Sequence, residues 1–461
     1  MSRSQRFHLS AAQAILLSFA LMILVGALLL TLPVASQNGR SIGFLDALFT
    51  AVSAGCVTGL VVVNTMQHWT LFGQLVILLL IQFGGIGFIT VVTGAVTLFR
   101  RRIGLRQRLV VQAMFAQNDL AGMGKLTLSV MKYTAAIEGI GALFMTAGFL
   151  QADRGYDVGE ALWYGIFHAV SAFCNAGFDI VGLNSLEVFR TDPLLNWTIM
   201  CLIVLGGLGF TVLHELSHFL TTRKPRKRAL RRLSLQAKLV LLSSGILLIG
   251  GAVLFAVLEW NRPSLAGLSA PQKWLASAFE SVTLRTAGFA TTAQDQLGDL
   301  SKLAASAFMF IGGSPAGTAG GIKTISVALL IGSAWAAMRG QNGLVLFGRR
   351  IPQATLNKAL AITCTMMAIV VCATLALHFT EAGNAFHPKA LDLLFETTSA
   401  AGTVGLTTGM TPYLSAAGKG IIALCMFIGR LSPLTLAVAL ATRQTSLSAQ
   451  LDYPEEDLIL G

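Results

Sequence analysis

The chain has 461 residues, of which 54% are hydrophobic and only 12% are charged, about half the charged fraction of ordinary soluble proteins. This composition excludes a set of water-soluble domains, because too few charged side chains are present to cover their surfaces. Several apolar runs are long enough to cross a bilayer as helices. The sequence therefore predicts a multi-pass membrane protein.

The net charge of +12 is unevenly placed along the chain. Basic residues cluster in Arg100–Arg108, Arg223–Arg232 and Arg339–Arg350, with Arg3 and Arg6 near the start, whereas acidic residues concentrate in the intervening loops. Basic loops remain on the cytoplasmic side of a membrane. We therefore expect a protein of the cell (inner) membrane with both termini in the cytoplasm. The basic loops also suit anionic lipid or an acidic cytosolic partner, and their placement argues against nucleic acid.

In chain order, four repeats of about 115 residues fill the sequence. We expect them at residues 1–108, 109–232, 233–350 and 351–461. Each repeat begins with a long apolar helix, and the predicted first helices are Ala11–Leu32, Leu128–Phe149, Ala237–Leu258 and Ala354–Phe379. Ala11–Leu32 is too long for an ordinary signal peptide and lacks a small-residue cleavage site before Pro33, so we expect it to be retained.

Each first helix is followed by a short helix and a loop that together cannot cross a bilayer. The predicted short helices are Ile42–Ala54, Ala161–Ala172, Trp274–Thr283 and Leu391–Ser399, and their loops are Gly55–Val62, Phe173–Asp179, Leu284–Ala290 and Ala400–Thr407. The predicted second helices are Thr70–Leu98, Asn196–Leu220, a broken Leu303–Met338, and Lys419–Ala441. The fold class predicted is an all-α membrane protein with eight crossings and four re-entrant pore helices, arranged with pseudo-fourfold symmetry around a central pore.

The four loops share a glycine: Gly59, Gly177, Gly288 and Gly405, separated by 118, 111 and 117 positions. Non-helical backbone at membrane depth is tolerated where it lines a water-filled path or is buried in protein. Consecutive carbonyls can replace the hydration shell of an ion, and glycine allows the backbone turn that this requires. The predicted ion-binding filter consists of Val57, Thr58, Gly59, Asn175, Ala176, Gly177, Thr286, Ala287, Gly288, Thr403, Val404 and Gly405.

Polar residues and helix polarity around the loops complete this prediction. A serine lies six residues before the glycine in three repeats, whereas Val282 has that place in the third. The C-terminal ends of the pore helices carry partial negative charge, which favours a cation. The second helices carry glycine clusters at Phe83–Phe88 and Leu205–Phe210, which predict either close helix packing or a hinge.

In repeat three the glycine cluster expands into a segment that cannot stay helical. We predict an intramembrane gating loop at Gly312–Gly321, with Gly312, Gly313, Ser314, Gly317, Thr318, Gly320, Gly321 and Lys323 as its gating residues. The corresponding place in repeat four carries Arg430, the one basic residue of the apolar run Ile421–Leu440. A charge at that depth is expected to face a cavity. There it would raise the barrier to cations or pair with the carbonyl-rich loop.

Three features offer other interpretations. His214-Glu-Leu-Ser-His218 matches the zinc-protease pattern, but no third ligand is evident, so we expect an interfacial helix end, no zinc and no enzyme activity. Glu138 is either a coupling residue or a residue near a helix start. All six cysteines adjoin apolar segments without metal-ligand spacing, so we expect buried thiols without disulfides.

With these motifs, the chain resembles the Trk/Ktr/HKT superfamily of potassium transporters, and most closely the Ktr-type membrane subunit. The resemblance covers nearly the whole chain and rests on the four filter loops, on Gly312–Lys323 and on Ile428–Leu434. It implies potassium uptake, a homodimer with one pore per protomer, and a cytosolic RCK-type regulatory ring that binds nucleotide in place of this chain. It implies K⁺ as substrate, possible Na⁺ dependence and no covalently bound cofactor. Glycine in all four filter copies favours potassium over sodium, whereas Gly55-Cys56 and Leu284 depart from the usual pattern. A sodium-conducting or cation-coupled relative is the alternative within the superfamily.

Overall fold

The computed structural model describes residues 11–87, 123–152, 154–182, 184–221, 233–341 and 343–431. The predicted basic clusters at Arg3 and Arg6, Arg100–Arg108 and Arg223–Arg232 lie outside these residues. The described chain is almost entirely helical. Its one sheet among these residues is a two-stranded hairpin of Val345–Leu346 and Arg349–Arg350, which the sequence analysis did not predict.

The first helix of each repeat is long and apolar. These helices are Ala11–Thr31, Met123–Gln151, Leu235–Glu259 and Gln353–Thr380, close to the predicted spans. They contain the four described segments that are by themselves long and apolar enough to cross a membrane. Their outward faces expose large apolar side chains such as Leu143, Ile249 and Phe379, as expected of helices whose solvent is lipid.

The pore helices are Phe44–Gly55, Val158–Phe173, Ala270–Thr283 and Ala390–Gly402. The second of them begins with a capping box, in which the Glu160 backbone N–H donates to Asp157 and the Asp157 N–H donates to Glu160, satisfying two otherwise unpaired helix-end donors. A phenylalanine sits at the same place in each pore helix and is almost completely buried: Phe49, Phe167, Phe279 and Phe395. Each phenylalanine stabilises the fold by about 1.5–3 kcal/mol through burial. The same stabilising residue therefore recurs in all four repeats.

The second helices are shorter and more broken than predicted. They comprise Leu71–Ile86, Pro193–Gly207 with Phe210–Thr221, Asp299–Phe310 with Thr324–Met338, and Ala416–Leu431. The predicted continuous helix Asn196–Leu220 was wrong, since the two parts meet at 104°. The chain turns at Gly209, whose φ of +88° is accessible to glycine at little cost. The predicted continuations to Leu98 and Ala441 lie outside the described residues. Short helical turns at Thr65–His68, Pro33–Ala35, Glu187–Phe189, Pro263–Leu265, Gln294–Gln296 and Thr411–Tyr413 connect the longer elements.

Polar bonds join a second helix to the pore helix of the next repeat at three seams. Between repeats one and two the Trp163 indole donates to the Gln74 side chain at 2.8 Å. Lys302 pairs with Asp392 at 2.9 Å between repeats three and four. Lys419 pairs with Asp46 at 2.6 Å and joins repeat four to repeat one. The repeats therefore close into a ring in the order of the sequence.

A buried glutamate lies at the C-terminal end of the first helix in repeats three and four. Glu259 accepts hydrogen bonds from the Gly298 backbone N–H (3.1 Å) and from the hydroxyl of Ser301. Glu381 accepts from the Ser415 hydroxyl (2.6 Å) and its backbone N–H. Gly298 and Ser415 lie just before the second helices of the two repeats. The carboxylates therefore satisfy free donors at these helix starts.

The cysteine prediction was wrong in part. Cys56, Cys174 and Cys425 are buried, but Cys201, Cys364 and Cys372 are exposed, and all six are free thiols. The exposed three lie on transmembrane helices, where apolar surroundings reflect contact with lipid as well as burial in protein.

Candidate functional site

The four shared glycines form a closed ring in which each approaches the next repeat. A Cβ placed on Gly59 would lie 2.5 Å from the carbonyl oxygen of Ala176, and one on Gly177 would lie 2.7 Å from that of Ala287. A Cβ on Gly288 would meet the Val404 carbonyl, and one on Gly405 the Thr58 carbonyl. No side chain fits at any of these positions without displacing backbone. The ring therefore consists of main-chain atoms from all four repeats.

The backbone of each filter loop turns in the same unusual way. The residue two positions before each glycine is left-handed, with φ of +58° at Val57, +60° at Asn175, +66° at Thr286 and +50° at Thr403. The glycines also have positive φ, between +69° and +102°. Positive φ is uncommon for residues other than glycine and is a genuine outlier for a β-branched one, so its recurrence at four matching positions marks a shared geometry. All twelve predicted filter residues are buried.

Hydroxyl groups on the pore helices secure these turns. Ser53 accepts from the Gly59 backbone N–H at 3.1 Å, and Ser399 accepts from that of Gly405 at 3.0 Å. Ser171 instead donates to the Phe178 carbonyl at 2.8 Å. In repeat three Thr283 donates to the Phe289 carbonyl at 2.6 Å.

The sequence comparison that aligned Val282 of repeat three with Ser53, Ser171 and Ser399 was therefore wrong by one residue. Repeat three has one residue fewer between its pore-helix phenylalanine and its glycine. A comparison with the other three repeats that allowed for this missing residue could have identified Thr283.

Small residues of the second helices lie against the ends of the pore helices. A Cβ on Gly84 would meet the Gly55 carbonyl, one on Gly206 the Phe173 carbonyl, and one on Gly429 the Ala401 carbonyl. The close-packing interpretation of the glycine clusters is thus correct at these positions. In repeat two the same cluster also contains the sharp bend at Gly209.

The predicted gating loop lies against the fourth filter loop. Its ends are joined by the Gly312 N–H, which donates to the Ile322 carbonyl at 2.8 Å, and by the Thr324 N–H, which donates to Gly313 at 3.0 Å. A Cβ on Gly320 would meet the Thr403 hydroxyl of the fourth filter loop, and one on Gly321 would lie 3.4 Å from the Gly402 carbonyl.

The loop also docks on the bend of repeat two. The N–H groups of Ser314 and Thr318 donate to the carbonyls of Gly207 (3.0 Å) and Gly206 (3.2 Å). The Thr318 hydroxyl donates to Phe173 at 2.9 Å, and a Cβ on Gly317 would lie 3.0 Å from the Gly206 carbonyl. Lys323 turns back and donates to the Ala319 carbonyl at 2.8 Å.

Arg430 connects this loop to repeat one. One guanidinium nitrogen donates to the Thr318 carbonyl. The other donates to the carbonyls of Gly84 at 2.5 Å and Gly85 at 3.1 Å. The arginine therefore pairs with carbonyl oxygens, as one of the two sequence interpretations predicts, and joins the loop of repeat three to the second helix of repeat one.

The histidine motif takes part in hydrogen bonds that join two helices. Both carboxylate oxygens of Glu215 accept hydrogen bonds from Ser234, at 2.7 Å from its hydroxyl and 3.0 Å from its N–H. Ser234 caps the first helix of repeat three. The side chain of His214 contacts the hydroxyl of Tyr133, and the His218 side chain lies outside the described residues. Within the described ranges, three or more potential His, Cys, Asp or Glu ligands do not gather anywhere.

The apolar first helices, the four re-entrant pore helices and the carbonyl ring define an integral membrane protein with an ion-transport architecture. Over residues 3–449 the chain matches the TrkH cation transport protein family. It belongs to that family, whose members are transporters and not enzymes.

Curated relatives cover almost the full length of the chain. It is 37% identical over 452 residues to the Ktr system potassium uptake protein B of Bacillus subtilis, spanning 97% of this chain and 96% of that protein. It is 35% identical over 464 residues to the potassium/sodium uptake protein NtpJ of Enterococcus hirae, spanning 100% and 99%. Among solved structures, the potassium transporter TrkH from Vibrio parahaemolyticus matches with a TM-score of 0.73 at 16% identity, over 95% of this chain and 87% of that one. That likeness supports the fold.

Proposed function

We propose that the chain carries potassium across the cell membrane through the ring of filter loops. The closed ring of carbonyls around Gly59, Gly177, Gly288 and Gly405 carries this proposal. Oxygen dipoles held in this way replace water around a cation, and the pore helices point their partly negative ends toward it. The buried hydroxyls of Thr286 and Thr403, which have no protein partner, supply further oxygen near the ring. The names of the Ktr relatives support potassium as the ion.

Gating follows in this proposal from the loop Gly312–Gly321. Its contacts with the second pore helix and the fourth filter loop support a position across the exit of the ring. Arg430 holds it in that position through Thr318. Movement of the loop away from Thr403 would open the path, and renewed hydrogen bonding between Arg430 and the Thr318 carbonyl would close it.

The Ktr resemblance extends the proposal to partners and topology. We propose a homodimer with both termini in the cytoplasm and four repeats divided as given above. A cytosolic RCK-type ring that binds nucleotide would dock against the basic loops, one of which is Arg339–Arg350. The relative named for potassium and sodium uptake favours one alternative, in which the chain conducts sodium or couples the two cations.

The test is potassium uptake at limiting concentration in cells stripped of their own uptake systems, with and without sodium. Gly405→Ser should weaken the preference for potassium over sodium, because its Cβ meets the Thr58 carbonyl and φ of +97° is strained for serine. Gly420→Ser is the matched control, since space is open around that glycine, and His214→Ala tests the protease alternative.

Uptake with unchanged selectivity in Gly405→Ser would contradict the filter assignment. Loss of uptake in His214→Ala with normal membrane insertion would favour a role for the histidine motif. If the wild type shows no uptake, co-expression of the regulatory subunit distinguishes a missing partner from a wrong substrate.

A further inference from the structure

A small cavity of about 10 Å³ lies in repeat three, apart from the carbonyl ring. Its wall joins the end of the first helix, the middle of the pore helix and the segment after the filter loop. This volume is at the lower limit for one water molecule. Its polar lining includes Glu259, Ser277, Glu280 and Thr292, and its apolar lining includes Phe255 and Leu265.

Oxygen atoms without partners face this part of the molecule. Glu280 is 3% exposed and Ser277 is 2% exposed, and neither Glu280 Oε1 nor the Ser277 hydroxyl has a hydrogen-bond partner. The other Glu280 oxygen accepts from the Thr292 hydroxyl at 2.9 Å and from the Gln294 amide at 3.1 Å. A buried polar atom without a partner costs about 1–3 kcal/mol, and more if it is charged. Two such atoms beside one cavity therefore point to a ligand.

The charge around the cavity is negative. Glu259 also lines it, and both of its oxygens accept hydrogen bonds from Ser264, Ser301 and the Gly298 N–H. Arg262 lies beside Gly298 near Glu259. Neither of the two ion pairs found among the described residues involves Glu280. A buried carboxyl group is paired with a positive charge, coordinates a cation or is neutralised by a proton, and one positive charge would balance the ionised form of Glu280.

We propose that this cavity is a second cation site, which takes a small monovalent cation such as Na⁺ on Glu280, Ser277 and Glu259. Hard cations bind carboxylate and hydroxyl oxygens, and the confined volume favours Na⁺ over the larger K⁺. Because Glu280 also holds Thr292, four residues beyond Gly288, the bound ion stabilises the outer end of the third filter loop. The site does not depend on the proposed role of the carbonyl ring.

The test is thermal unfolding of the purified full chain at constant ionic strength, with Na⁺ replacing choline while K⁺ stays fixed. Na⁺ should raise the midpoint temperature of the wild type in a saturable way, as a ligand of the native state does. Glu280→Gln should abolish this rise and keep the rise caused by K⁺. Asp295→Asn is the matched control, because it removes the charge of an exposed carboxylate in the same repeat and should retain the Na⁺ response.

Ser277→Ala gives a second test that does not disturb the protein's own hydrogen bonds. Its hydroxyl has no protein partner, so the variant should fold, and it should need roughly tenfold more Na⁺ for half of the thermal shift, the effect of about 1.4 kcal/mol. The proposal is overturned if Na⁺ does not raise the wild-type midpoint. It is also overturned if Glu280→Gln and Ser277→Ala respond to Na⁺ as the wild type does, or if Ca²⁺ and not Na⁺ produces the shift that Glu280→Gln removes.

Discussion

Replacement of Arg430 by methionine removes the hydrogen bonds that join the proposed gating loop to repeat one. One guanidinium nitrogen donates to Thr318 on the loop, and the other donates to Gly84 and Gly85. Both glycines belong to one helix, so these two bonds anchor the arginine. Only the bond to Thr318 has to break when the loop moves.

A hydrogen bond from a charged donor contributes about 1.5–3 kcal/mol. Since about 1.4 kcal/mol changes an equilibrium tenfold, Arg430→Met should raise the ratio of open to closed loops by roughly 10- to 140-fold. The flux at rest should rise with the open population as long as open molecules are in the minority.

The assay is potassium flux into proteoliposomes that contain the full chain without its regulatory partner, normalised to inserted protein. Lys419→Met is the control on the same helix, because its ammonium group pairs with Asp46, away from the loop. Its resting flux should equal that of the wild type. Resting flux in Arg430→Met no higher than in the wild type, with normal thermal unfolding, would refute the reasoning.

Three further changes test other contacts. Burial alone would raise the pKa of Glu381, but hydrogen bonds from Ser415, Asn384 and Thr380 lower its pKa overall. The stability that Glu381 contributes is therefore present above the pKa of this group in the unfolded chain, and it is lost as pH falls through the folded pKa. Glu381→Gln should therefore lower the free energy of unfolding by about 1–3 kcal/mol at neutral pH and reduce its loss in acid, measured by thermal unfolding across pH. Asp392→Asn, which leaves Lys302 without its charge partner, should cost about 3–5 kcal/mol and lower the unfolding temperature. Ser399→Ala removes the acceptor of the Gly405 N–H and should weaken potassium selectivity in the uptake assay.

Controls keep these results interpretable. Asp295→Asn changes an exposed carboxylate and should leave the acid response unchanged, and an equal change there would contradict the role given to Glu381. Lys302→Met with Asp392→Asn removes both charges, keeps an acceptor for the Lys389 N–H and should recover stability; if it does not, the pair is not the cause of the loss. Unaltered selectivity in Ser399→Ala would show that the turn at Gly405 keeps its shape without the serine.

The architecture could be predicted from one sequence because its four repeats can be aligned with one another. The shared glycines located the ring, and the glycine-rich segment Gly312–Gly321 located the loop that lies against it. Arg430 was predicted either to raise the barrier to cations or to pair with that loop, and its guanidinium group donates to the Thr318 carbonyl. The positions of these residues could be interpreted from the sequence because glycine and a charge at membrane depth have few alternative uses.

Other features depend on contacts that no local pattern contains. Gln74 and Trp163 are 89 positions apart, and Lys419 and Asp46 are 373 apart, so only the closed ring brings them together. A hinge at Leu205–Phe210 was one of two interpretations, but a single helix was predicted through Gly209 because apolar residues continue on both sides of it. The left-handed turns at Val57 and Thr286 were missed because β-branched residues rarely adopt them.

Because one chain supplies all four filter loops, a substitution alters a single quarter of the ring. In a channel assembled from four identical subunits, the same codon change would alter every quarter at once. Here Gly59, Gly177, Gly288 and Gly405 can be replaced singly or in any combination, which gives fifteen distinct variants of one ring from four mutations. Natural sequence change can likewise alter one filter loop at a time. The left-handed backbone turn is the same in all four loops, but the residue at the turn differs among them: Val57, Asn175, Thr286 and Thr403.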